Sequence, residues 1–196
     1  MQGRYNGRLP AGTSPPGRRR PLNRHLAALT LLIGALHLAV AGAQSGDDLL
    51  RSRLQRLFPQ ATSFSPKGGN PPHIKAYGSG GTTDVIGYAF WTTELMPLER
   101  GYGGPIPVLV GMDPKGILAG IVMGEHREPY GDFSIDLPRF AAHFKGKDVR
   151  DPFRLGDDID AVSRATITMS SAVRGIRNSA RRVARELLTP PGAAQQ

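Results

Sequence analysis

Pro107-Val108-Leu109-Val110-Gly111-Met112, Asp113-Pro114-Lys115-Gly116 and Ile117-Leu118-Ala119-Gly120-Ile121-Val122-Met123-Gly124-Glu125 read in order as strand, tight turn and strand. The two flanks are apolar and rich in β-branched residues. The tetrapeptide between them puts Pro and Gly where a tight turn uses them. Strands joined this closely pair antiparallel. Working outward, Asp84–Leu95 is rich in β-branched and aromatic residues and reads as a further strand, and Ser63–Ser65 and His73–Tyr77 as short ones. Segment 66–72 is a Pro/Gly/Asn loop, Gly78–Gly81 a turn and Gly101–Gly104 a flexible loop. The helical patterns lie outside this block. One runs from a cap at Asp47 or Asp48 to Leu57, with Leu50, Leu54, Leu57 and Phe58 on one face and Pro59 as a stop. A short one starts at Asp136-Leu137-Pro138, buries Phe140, Ala141 and Phe144, and ends at Gly146. The last runs from Ser170 or Ser171 to Leu188, with Ser170 and Ser171 as caps. Clustered strands with helices at both ends of the mature chain predict an α+β fold, a twisted antiparallel sheet, rather than a doubly wound α/β sheet.

The length of 196 residues suits one domain plus a leader. Gly (25) and Pro (17) are abundant enough to predict many turns and short elements. Residues 26–43 form an apolar run after a basic region and end in the small-x-small pattern Ala41-Gly42-Ala43. This predicts a signal peptide or a retained N-terminal anchor over 1–43, a domain over 44–188 and a frayed tail over 189–196. The domain is then periplasmic, or anchored to the inner membrane and facing the periplasm.

The formal charge of +9 does not point to nucleic acid. Arg4, Arg8, Arg18, Arg19, Arg20 and Arg24 precede the apolar run, and without them 19 basic residues face 16 acidic ones. The chain has no cysteine, which excludes disulfides, thiolate-held iron–sulfur clusters, CxxCH haem attachment and thiol catalysis. Neither glycine loop has the spacing of a dinucleotide or P-loop fingerprint.

The chemistry is concentrated in Asp160-Ala161-Val162-Ser163-Arg164-Ala165-Thr166 and the following Ile167-Thr168-Met169-Ser170-Ser171-Ala172-Val173. Small and hydroxyl residues lead into an apolar helix, whose first N–H groups have no internal partners and attract anions. Taken alone, this is equally an ordinary Ser/Thr-rich helix cap. The stretch resembles the attachment site of the FMN-binding domain family, D-x-x-[S/T]-G-A-T. A second stretch adds to it: Gly101-Tyr102-Gly103-Gly104-Pro105-Ile106, Val110-Gly111-Met112-Asp113, Gly116-Ile117-Leu118-Ala119-Gly120 and Glu125-His126-Arg127-Glu128-Pro129 resemble, in order and spacing, the family's G-Y-x-G-x-I … V-G-x-D-x-x-G-x-I-x-G … H-x-E-T/P. The Glu-His-x-Glu form is closest to the extracytoplasmic domain of the NosR- and NirI-like regulators. The resemblance is weaker to the flavin subunits of Rnf and sodium-translocating NADH:quinone reductase complexes.

The resemblance implies FMN held as a phosphoester on Thr166 and installed by a flavin transferase that uses FAD and a divalent metal. It implies cofactor contacts from Asp160, Ser163, Arg164, Ala165, Thr168, Glu125, His126, Glu128 and Tyr102. The family usually has Gly where this chain has Arg164. Gly permits backbone angles that Arg resists, whereas Arg can pair with a phosphate. His126 and the flanking acids are expected near the flavin edge. Strand alternation would point His126 away from its two neighbours, which argues against a metal site.

Phe90, Trp91, Tyr102 and Tyr130 are either core or pocket lining. His73 and His143 have no companions in sequence. The arginines of the last helix (Arg174, Arg177, Arg181, Arg182 and Arg185) read as a solvated face, or as attraction to anionic lipid or an acidic partner. Two functions follow. One is an extracytoplasmic electron-transfer flavoprotein rather than a complete enzyme, serving a redox protein or a membrane electron-transfer complex, with possible membrane association. The alternative is a non-catalytic sensor or assembly module without covalent flavin.

Overall fold

The computed structural model describes residues 46–188, so the leader and the tail lie outside the described residues. Helix α1 covers 46–57. Five strands follow as an antiparallel meander: β1 (Ser63–Phe64), β2 (Ile74–Tyr77), β3 (Val85–Trp91), β4 (Val108–Met112) and β5 (Leu118–Met123), paired in that order. Helices α2 (Thr92–Leu95), α3 (Pro138–Ala142) and α4 (Thr166–Leu187) complete an α+β architecture.

The quoted hairpin forms as expected, with Val110 paired to Ile121 and Gly111 to Gly120. Asp113 makes the turn. Its Oδ1 accepts the N–H groups of Lys115 and Ile117, each at 2.8 Å, and Gly116 takes a φ of 87° that an L side chain resists. Every residue of β4 is buried, which explains a continuous apolar run instead of alternation. One face of the sheet carries Phe90, Val108, Val110, Met112 and Ile121 into the main core, with Phe140 and Phe144 and with Met169, Ile176 and Val183 of α4. The other carries Ile74, Ala89, Leu109 and Val122 against Leu54, Leu57 and Phe58, so the apolar face expected for α1 is the one it buries. One margin of the sheet, β1, has two residues. At the other, a strap pairs with the start of β5. Its bonds run from Leu118 N–H to the Lys147 carbonyl and from Gly146 N–H to that of Leu118, and Val149 N–H donates to the Gly116 carbonyl.

Several boundaries differ from the sequence reading. The expected strand to Leu95 ends at Trp91, and Thr92–Leu95 turns into α2. The cause is Thr92: its buried hydroxyl donates to the Ile106 carbonyl at 3.1 Å and accepts the Val108 N–H at 3.0 Å. A side chain thus ties the end of β3 to the start of β4, and the loop between them is pinned at its base. α3 is preceded by Leu137, without a side-chain cap, because Asp136 is engaged elsewhere. α4 begins at Thr166, so Ser170 and Ser171 lie inside the helix and cannot cap it.

Three of the five arginines read as a solvated face of α4 are held by partners off the helix. Arg181 donates to the carbonyls of Val149 and Asp151 at 3.0 and 2.8 Å, Arg182 to that of Leu95 at 3.0 Å, and Arg174 to Glu99. These three fasten the helix to α2 and to the loops beside it, whereas Arg177 bonds Asn178 of the same helix.

Candidate functional site

The first turn of α4, the loop 101–104 and the segment 124–137 meet on the side of the sheet that carries the main core. Thr166 is the first helical residue and is exposed. Ala165, in the N-cap position, is buried, and no side chain caps the helix. The leading N–H groups of a 22-residue helix are therefore open to an anion beside a free hydroxyl.

Arg164 sits just before the cap with φ at 70°, in the left-handed region. This is the backbone state that glycine adopts freely, and it explains the family's preference for Gly there. Arg adopts it at a cost of about 1–2 kcal/mol, and its side chain stands in solvent. Ser163 is also exposed. Asp160 is exposed and lies 3.2 Å from Nε2 of His143, so His143 has a partner that sequence spacing did not reveal.

The remaining predicted residues divide. Tyr102 is 70% exposed and Glu125 is exposed. Glu128 and Thr168 face inward, at 8% and 1% exposure. The Glu128 carboxylate accepts the N–H of Gly103 at 2.8 Å and of Tyr102 at 3.1 Å, and Thr168 donates its hydroxyl to the same carboxylate. It joins the glycine loop to the helix. Gly103 closes the contact: a Cβ there would lie 2.0 Å from the Arg127 carbonyl oxygen.

β5 ends at Met123, so strand alternation does not govern residues 125–128. The His126 ring turns back toward its own segment. Its Nδ1 accepts the Glu128 N–H at 3.2 Å, and its Nε2 lies 2.8 Å from Oδ1 of Asp136. The ring nitrogen that accepts cannot carry the proton, so the proton sits on Nε2 and is donated to Asp136. Asp136 was missed as a site residue because its sequence context reads as a helix cap.

Phe90 is core, and Trp91 packs on the opposite face of the sheet under the guanidinium of Arg53, 5.7 Å from the ring centre. Neither lines the site. Tyr130 is partly exposed beside Phe133, ring centres 5.6 Å apart, and Ile167 is exposed on α4. His73 is buried away from the site, with Nδ1 2.8 Å from the Pro71 carbonyl oxygen.

Residues 101–181 match the FMN-binding domain. The chain is 26% identical over 147 residues, 70% of its length, to the regulatory protein NosR of Stutzerimonas stutzeri. It is 30% identical over 154 residues, 73% of its length, to the regulatory protein NosR of Pseudomonas aeruginosa. In each case it spans 20% of the relative's length. The matched segment begins at the glycine loop and ends within α4, the two elements that Glu128 joins. This chain carries a domain of the FMN-binding family, whose cofactor is FMN.

Proposed function

We propose that the domain holds FMN as a phosphoester on Thr166, outside the cytoplasm, and relays electrons between redox partners. The observation that carries the reading is the exposed Thr166 hydroxyl at the uncapped start of α4. A phosphate bonded there meets unpaired N–H groups and the positive end of the helix dipole. The Arg164 guanidinium, two residues away and free in solvent, adds a cation for the phosphate. Exposed Tyr102, Tyr130 and Ile167 supply apolar surface for a flat ring. Bound flavin accepts and donates electrons singly or in pairs and so couples unlike partners. The protein's part is to anchor the phosphate, to shelter one face of the ring and to leave an edge reachable. His126 and Asp136 form a polar pair beside that surface and orient segment 124–137.

NosR is named as a regulatory protein, and a regulatory or redox complex is the setting that this likeness favours. The basic, apolar leader supports export. The left-handed backbone at Arg164 favours the flavin reading over a flavin-free sensor, because the loop keeps the conformation glycine would give it.

The test is co-expression of the full chain with a flavin transferase, followed by denaturing electrophoresis. In-gel flavin fluorescence is expected for the wild type and absent for Thr166→Val. A wild-type band without fluorescence, together with a colourless native protein, leaves the sensor or assembly reading.

A further inference from the structure

We propose that Glu128 is a positioning residue rather than a flavin ligand: it locks the backbone of Tyr102 to the first turn of α4 and so sets the Tyr102 ring beside whatever Thr166 carries. The inference rests on the reading of Thr166 as the FMN tether.

Both carboxylate oxygens are already engaged. Oε1 accepts Gly103 N–H, and Oε2 accepts Tyr102 N–H together with the Thr168 hydroxyl. The donors come from two elements far apart in the chain, and both Glu128 and Thr168 are buried. Three donors occupy a carboxylate that has about four acceptor sites, and its burial turns it away from a ligand on the surface. Tyr102 has the opposite character: a fixed N–H under a ring that is largely exposed. The loop is tight as well, since Gly101 N–H donates to the Gly104 carbonyl at 2.8 Å. The backbone cannot drift while Glu128 holds it, so the ring pivots from a fixed point. Because Thr168 follows Thr166 by two residues on α4, the carboxylate that fixes Tyr102 also fixes the height of the tether.

The experiment uses the full chain co-produced with a flavin transferase and compares wild type, Glu128→Gln, Thr168→Val, Tyr102→Ala and the Glu128→Gln/Tyr102→Ala double variant. Two quantities are read: amide hydrogen exchange at Tyr102 and Gly103, and emission of the protein-bound flavin, which an aromatic ring in contact quenches. In Glu128→Gln one carboxylate oxygen becomes an NH₂ group that cannot accept. Whichever of the two amides faces the new NH₂ group is expected to exchange about tenfold faster while those inside α4 keep their protection. Flavin stays on Thr166, and its emission rises to the level of Tyr102→Ala. The double variant is no brighter than Tyr102→Ala alone, because both changes remove the same contact. Thr168→Val removes one donor and gives a smaller change of the same sign, which preserves the test if Glu128→Gln folds poorly.

Wild-type exchange at Tyr102 and Gly103 in both Glu128→Gln and Thr168→Val overturns the proposal. So does an additive double variant, which would mean that Glu128 touches the flavin on its own account. If the wild type carries no flavin, the tether reading fails by itself, and amide exchange on the flavin-free protein still decides whether Glu128 is the lock.

Discussion

The guanidinium of Arg174 donates through Nη2 to Oε1 of Glu99 at 2.7 Å and through Nε to Oε1 and Oε2 at 3.2 and 3.3 Å. The pair fastens α4 to the loop after α2, across 75 residues of sequence. It is partly exposed, so its worth in neutral solution is about 0.5 kcal/mol.

The same bond holds the Glu99 carboxyl below the usual carboxylate range. Hydrogen bonds from Arg150 bring Asp148 down to about 2. Burial works to raise Asp158, but Lys147 and the N–H groups of Arg154 and Phe153 outweigh it and lower the group. A carboxyl lowered on folding adds stability above its unfolded value and loses it as pH falls through the folded one. The domain is therefore expected to be insensitive to these groups at neutral pH and to weaken progressively below about pH 4. Urea unfolding at a series of pH values checks this. Arg174→Ala should make the acid limb shallower, because Glu99 loses the main cause that lowers it, while Asp148 and Asp158 keep theirs.

Arg164→Gly is expected to leave the domain as stable as wild type or up to about 1.5 kcal/mol more stable. Relief of the left-handed backbone is worth about 1–2 kcal/mol, against about 0.5–1 kcal/mol for the freer unfolded chain. Chemical denaturation measures it. A loss well beyond 1 kcal/mol would mean that the Arg164 side chain supports the fold.

Gly103→Ala forces a methyl group into the Arg127 carbonyl, whose oxygen is backbone and cannot step aside. A loss of about 1–3 kcal/mol is expected. Exchange of the Tyr102 amide should accelerate as well, since the loop must lift off Glu128. Thermal unfolding and hydrogen exchange report the two effects separately.

Asp113→Ala removes the acceptor of two turn N–H groups and should cost about 1–2 kcal/mol. The loss falls on the β4–β5 hairpin, distant in sequence from Thr166. The variant should still accept flavin on Thr166, as in-gel fluorescence would show.

The strands were legible because their signals are local. Asp113-Pro114-Lys115-Gly116 specifies its turn through its own backbone, and the apolar runs on either side have no polar competitor. The end of β3 was not legible, because Thr92 acts through Ile106 and Val108, fourteen and sixteen residues on. At the site, the apolar period gave the last helix but set its start at Ser170 or Ser171 instead of Thr166, and Thr166 itself stood out only through the family resemblance. The sorting of Glu125 from Glu128 was not, since a carboxylate's direction depends on which donors the fold brings to it, here from a loop and a helix far apart in the chain. The α4 arginines misled for the same reason. A periodic basic stripe looks solvated until the carbonyls of Leu95, Val149 and Asp151 are placed beneath it.

The strap that lies along β5 also bears on how the domain behaves among its own copies. Residues 146–149 occupy one border of the meander only at Gly116 and Leu118, and the other border is two residues long. A foreign strand adding to this sheet would find its backbone partners on Ala119–Met123 and hardly anywhere else.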